Sequence, residues 1–141
     1  MSRHAARERA LQTLFQLDVN RLGEDEAATH TLDIVGHGAH DEVYFRSLLR
    51  GILETRPSLD AVIETYSEDW AVGRMPGVDR NILRIGVYEL LYAADLPAPV
   101  ILNEAVELGK AYGTERSAKF INGVLGGVLR DLATLRETAH P

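Results

Sequence analysis

The stretch DRNILRIGVYELLY, from Asp79 to Tyr92, constrains the fold more than any other part of the chain. On a helical wheel Ile82, Leu83, Ile85, Val87, Leu90 and Leu91 surround the axis almost completely instead of lining one stripe. A helix of that kind has to be covered on several sides, so the chain must supply other helices around it. Asp79 is placed to cap it, and the pattern extends to about Ala94. Arg84 and Glu89 interrupt the apolar run. Buried there, each needs a partner, because breaking a buried ion pair costs about 3–5 kcal/mol.

The other segments can provide that cover. Ala6, Ala10, Leu14 and Leu17, widened by Leu11 and Phe15, predict a helix from about Arg3 to Asn20, with Arg9, Gln12 and Gln16 on another face. From Ala27 to Ala39 the pattern fits either a weak helix or a loop with short helical turns. Val43, Leu48, Leu49 and Ile52 predict a helix over 41–53, with Asp41 and Glu42 near its positive end. Pro57 is read as the start of a new helix carrying Leu59, Val62, Ile63 and Tyr66. Trp70 through GRMPG is punctuation. Pro97 and Pro99 open a helix with the inward stripe Ile101, Ala105, Leu108 and Ala111. Gly113 stops it, and Thr114 is placed as the next N-cap. The last helix is expected to reach about Leu135. No segment alternates as a strand. About seven helices with short joins imply an all-α fold, read as one domain over 1–141.

Composition narrows the function classes. The 141 residues contain no cysteine, which removes disulfides, thiolate metal sites and a cysteine nucleophile, and suits a cytoplasmic setting. No run of eighteen apolar residues offers a membrane span, and nothing at the N-terminus resembles a secretion signal. The formal charge of −6 argues mildly against a general nucleic-acid binder. That charge is unevenly spread. Twelve acids face four basic residues between 18 and 69, whereas 1–9 and 110–119 each carry a net of +2. Catalytic chemistry finds little support. His30, His37 and His40 are close in sequence but match no zinc spacing. Glu104 and Glu107 lack a second ligand-rich helix. Ser117 has no evident base, and no phosphate-loop or dinucleotide motif occurs.

Two basic places remain. In YGTERSAKFINGVLGGVLRDL, Tyr112 to Leu132, the core arc is Ile121, Val124, Leu125, Val128 and Leu132, continued by Leu135 just beyond it. Phe120 falls at its edge, Gly123, Gly127 and Arg116 beyond it, and Lys119 opposite its centre. An aromatic beside cations and small residues suits an unpaired RNA base with its phosphate. On spacing alone, close helix packing is the simpler explanation of the same residues. At the other end, Arg3 and Arg7 crowd the first turns of a helix, against its dipole, where an external phosphate would offset the conflict.

The segments RERALQTLFQLD at 7–18, YFRSLLRGI at 44–52, DRNILRIGVYELLY at 79–92 and ILNEAVELGKAYGTERSAKFINGVLGGVL at 101–129 together resemble the transcription antitermination factor family NusB. The resemblance implies two packed helical bundles, no catalytic role and no cofactor. It also implies binding of boxA-type single-stranded RNA together with NusE, a small-subunit ribosomal protein. The complex then helps RNA polymerase in the elongation complex read through terminators, chiefly in ribosomal RNA operons. Matching segments carry the RNA surface onto Arg3, Arg7, Arg9 and Gln12, and onto Lys119, Phe120 and Asn122. Arg116 stands where some relatives have an acid, a change that favours RNA. Glu42, Tyr44, Arg46, Arg80 and Arg84 are the candidates for the NusE surface. Self-association as a homodimer is left open, as is a protein-only helical scaffold in a ribonucleoprotein complex. A related helical module fronts RNA cytosine methyltransferases, but these 141 residues carry no methyltransferase domain, and a stand-alone factor is expected.

Overall fold

A computed structural model describes residues 3–20, 23–35, 39–68, 70–93 and 95–139. Among them every regular element is helical: α1 (Arg3–Asn20), α2 (Glu24–Val35), α3 (Ala39–Tyr66), a 3₁₀ turn (Val72–Arg74), α4 (Gly77–Tyr92), α5 (Ala98–Tyr112), α6 (Ser117–Arg130) and α7 (Leu132–Ala139). The chain divides into two compact units, Met1–Glu54 and Thr55–Pro141.

In the first unit α1 packs on α2, burying Ala6, Ala10, Leu11 and Leu14 with Ala27, Ala28 and Leu32. The segment that sequence left between helix and loop is thus helical. Several polar groups inside this seam bond one another, while Gln16 Oε1 is buried without a hydrogen-bond partner among the described residues. The Thr13 and Thr31 hydroxyls share a hydrogen bond of 2.8 Å, Thr13 also bonds the Arg9 carbonyl at 2.9 Å, and Gln16 Nε2 donates to Thr31 at 3.2 Å. Phe45, Leu48, Leu49 and Ile52 form the buried stripe of early α3. Val43, expected on that stripe, is 73% exposed. It lies two residues from Phe45, about 200° around the helix, so it faces away. Phe15 also stays largely exposed.

Pro57 does not begin a helix. The helix continues past it although Pro57 has no N–H to donate, and α3 runs unbroken over 28 residues. An interior proline costs about 3 kcal/mol. The buried Leu59 and Ile63, in helical step with Ile52, supply the apolar burial that offsets it.

In the second unit α4 is the central helix, with α5, α6 and α7 packed against it. All six of its apolar residues named above are buried, as their distribution around the axis requires. Gly86 permits the approach of α6, since a Cβ there would stand 2.7 Å from Leu125 Cδ1. Asp79 lies within the first turn and Pro76 takes the cap position, because α4 starts at Gly77. The inward stripe of α5 is Ile101, Ala105, Leu108 and Gly109, whereas Ala111 is exposed. The last helix is two helices. The Asp131 amide bonds back to the Val128 carbonyl at 3.2 Å, a tighter turn that ends the α ladder before Leu132 restarts it. Arg84, buried in α4, has its partner: Nε and Nη2 donate to the two Asp60 oxygens at 2.8 and 2.9 Å, and Nη1 to Asn81 Oδ1 at 3.0 Å.

Candidate nucleic-acid interface

The start of α6 is built from hydrogen bonds, not from one capping side chain. Gly113 ends α5, its amide donating to the Gly109 carbonyl. The Thr114 amide donates to Ser117 Oγ at 2.9 Å, and the Arg116 amide lies 3.3 Å from Thr114 Oγ1. Thr114 therefore opens a turn, and α6 proper begins at Ser117, later than a Thr114 cap would place it. Ser117, fully inside, donates its hydroxyl proton to Asp79 Oδ1 at 2.7 Å. The buried carboxylate of α4 thus fixes where α6 starts, and with it the positions of Arg116, Lys119 and Phe120.

These three residues line one open cavity of about 530 Å³ with Gly123 and Val124. Its other wall is Tyr66, Ser67 and Glu68 at the end of α3, with Glu115 also at the rim. Arg116 and Lys119 are exposed, and neither forms an ion pair among the described residues. Phe120 is half-buried, as its place at the edge of the core arc predicts. Its ring meets Trp70 at a centroid distance of 4.9 Å and an interplanar angle of 58°. Asn122 is exposed on the same helix.

The glycines separate cleanly. A Cβ on Gly123 or Gly126 would meet nothing within 4 Å, whereas on Gly127 it would stand 2.7 Å from Tyr66 Cδ1. Gly127 is thus the packing glycine, and Gly123 leaves the cavity floor open. The Tyr66 hydroxyl donates to Asp131 Oδ2 at 2.5 Å. That hydrogen bond, then burial and the Asp131 charge, raise the phenol above its ordinary pKa of 10.0, against an opposing effect of Arg130.

The remaining candidates are placed differently. The N-terminal arginines belong to the first unit. Arg3 is exposed, with its guanidinium 4.6 Å over the Tyr44 ring, a cation–π arrangement. Arg7 and Arg9 are 3% and 8% exposed, withdrawn from the surface where a phosphate would sit, and Gln12 is half-buried. Of the candidates for the protein surface, Glu42 and Arg46 pair with each other at 3.4 Å and Tyr44 lies beneath Arg3. Arg80 is half-buried, with Nη1 3.4 Å from the Val72 carbonyl. Arg84 serves the interior of the second unit through Asp60. Sequence reasoning overlooked Trp70 and Tyr66. The one tryptophan of the sequence, placed in the connector between α3 and α4, was the available signal. Of the histidine group, His30 is exposed on α2, while His37 and the His40 side chain lie outside the described residues. Among the described residues no cluster of three or more His, Cys, Asp or Glu could hold a metal ion, and no helix is long and apolar enough to cross a membrane.

A helical scaffold presenting a cation-flanked aromatic at an open glycine is the kind of surface that suits a nucleic acid. The NusB family model matches residues 4–130. The transcription antitermination protein NusB of Bacillus licheniformis is 42% identical over 132 residues, covering 94% of this chain and 99% of that protein. NusB of Pelotomaculum thermopropionicum is 46% identical over 129 residues, with 92% and 90% covered. Among solved structures, T. maritima NusB superposes with a TM-score of 0.84 at 36% identity, covering 93% of this chain and 92% of that one. A NusB crystallised with NusE and dsRNA gives 0.82 at 26% identity, with 92% and 98% covered. The chain belongs to the NusB family, whose relatives are transcription antitermination proteins.

Proposed function

We propose that the protein binds boxA-type single-stranded RNA together with NusE and so promotes read-through by RNA polymerase in ribosomal RNA operons, acting in the cytoplasm and without catalysis. The observation that carries the RNA reading is the α6 cavity. Two exposed cations, in no ion pair with another described residue, flank a half-buried phenylalanine, and Gly123 keeps the floor clear. Arg116 and Lys119 contact phosphate and position the strand; Phe120 stacks on an unpaired base; Asn122 adds a polar contact. Arg3 provides a further exposed cation in the first unit, with Arg7 and Arg9 behind it on the same helix, 3% and 8% exposed. The partnership with NusE is supported by the solved NusB–NusE–dsRNA complex of a relative. Val43, exposed between the Glu42–Arg46 pair and Tyr44, marks early α3 as a surface for such a partner.

The deciding experiment titrates labelled boxA-type RNA, its duplex and a scrambled strand with this protein, with and without NusE. Selective binding of the single strand is expected, stronger with NusE. Equal binding of all three RNAs, or none in either condition, overturns the reading. NusE binding without RNA selectivity would leave a protein-only scaffold.

A further inference from the structure

We infer that Trp70 is a second stacking surface of the RNA site, taking a base adjacent to the one held by Phe120. The inference rests on the RNA reading above and adds a residue to it from a different element. Trp70 is 39% exposed, although a tryptophan ring is among the side chains that gain most from burial. It does not dangle. Its carbonyl accepts the Ser67 hydroxyl at 2.8 Å, and its amide donates to the Ser67 carbonyl at 3.3 Å. Val72, next but one, is buried and has its amide bonded to Glu64 Oε2 at 3.3 Å. The backbone that carries the indole is therefore fixed, and the half-exposed ring is held in place against Phe120.

The 58° between the ring planes gives the pair its meaning. One flat base cannot lie parallel to both rings. Two successive bases of a strand whose own stack has opened can, each on its own ring, with the backbone turning between them. Single-strand binders use aromatic side chains in this way, beside cations that track the phosphates. Arg116 is one helical turn before Phe120, and Lys119 lines the same cavity, so both cations border the Phe120 site. Arg116 and Lys119 supply the phosphate contacts, on a rim they share with Glu68 and Glu115.

The chain contains one tryptophan, so its emission reports this ring alone. The test titrates the full chain with unlabelled boxA-type RNA and follows tryptophan emission. Mixtures made with Trp70→Phe supply the blank, including any signal from added NusE. Binding is measured in parallel by anisotropy of labelled RNA. Saturable quenching that tracks the anisotropy curve is expected. Trp70→Ala should weaken binding roughly tenfold, in line with the loss of one base–aromatic stack. Trp70→Phe should stay within about twofold, and the salt dependence of all three should have one slope, because no phosphate contact is removed. Tight RNA binding with unchanged emission, or with Trp70→Ala equal to the native chain, overturns the second stack and leaves the RNA reading standing. Quenching by NusE alone, with none added by RNA, overturns it in favour of a protein contact. Absence of RNA binding with or without NusE removes both. If Trp70→Ala loses its helical circular dichroism, the emission titration of the native chain decides alone.

Discussion

Replacing Gly127 by alanine isolates the consequence of one close approach. Within a helix, alanine is favoured over glycine by about 1 kcal/mol. At Gly127 the new Cβ would stand 2.7 Å from Tyr66 Cδ1, whereas carbon atoms rest at about 3.5–4.0 Å. The ring would have to retreat by about 1 Å. It is tethered at its far end by the 2.5 Å bond to Asp131, so it cannot swing away freely. Overpacking of this kind costs about 1–3 kcal/mol, and weakening the hydrogen bond adds about 0.5–1.5 kcal/mol. The net expectation is destabilisation by about 1–3 kcal/mol, several degrees in Tm for a chain of this size. Gly123→Ala and Gly126→Ala meet no atom within 4 Å, so they should stabilise by about 0.5–1 kcal/mol each. Urea and thermal unfolding followed by circular dichroism measure all three. In a Tyr66→Ala background, Gly127→Ala should turn stabilising, a sign change that reads the contact directly. A Gly127→Ala protein as stable as the native chain, or no change of sign with Tyr66 removed, refutes the reasoning. On RNA the order differs: Gly123→Ala should weaken binding despite added stability, and Gly126→Ala should not.

Three further outcomes follow from the geometry. The Tyr66 phenol is held protonated in the folded state, so the stability it lends is complete below its unfolded pKa near 10 and is lost as pH rises through the higher folded value; ultraviolet titration should show a late-ionising phase in the native protein that Tyr66→Phe removes and Asp131→Asn moves to lower pH. Asp60→Ala should destabilise by about 2–3 kcal/mol in urea, below the full buried-pair cost because Asp60 is partly exposed, yet leave RNA affinity unchanged. Lys119→Ala and Arg116→Ala should each weaken RNA binding across sequences and lower the salt slope by about 1, measured by anisotropy between low and moderate salt.

The central helix was legible because apolar residues on all sides of an axis admit only one kind of environment. The edge position of Phe120 was legible for a related reason, since helical periodicity fixes angles accurately over a few turns. Periodicity failed where another interaction overrode it. Pro57 looked like a start signal, but apolar burial keeps α3 continuous past it. Asp131 looked like one more helical residue, but its amide turns back to Val128 and its carboxylate accepts the Tyr66 hydrogen bond. The arginine-rich start shows a different limit. Charge in a sequence says nothing of depth, and Arg7 and Arg9 proved buried while Arg3 did not. The sequence shows Tyr66 only as a helix-face residue and Trp70 only as part of a connector, because their partners Asp131 and Phe120 lie 65 and 50 residues further along and no local pattern encodes such a meeting.

The hydrogen bonds around Ser117 carry a consequence for the timing of order at the RNA-facing helix. An exposed inter-helix turn ordinarily exchanges its amide hydrogens quickly. Here the Thr114 amide is bonded to a side chain that is itself anchored on buried Asp79. Its exchange should therefore await an opening of α6 from α4, not the fraying of a loop. The entropy of fixing Arg116, Lys119 and Phe120 along the helix is then largely lost at folding, before any ligand arrives. Ser117→Ala touches no ligand, yet it should slow RNA capture and weaken affinity by returning that disorder to the unbound state.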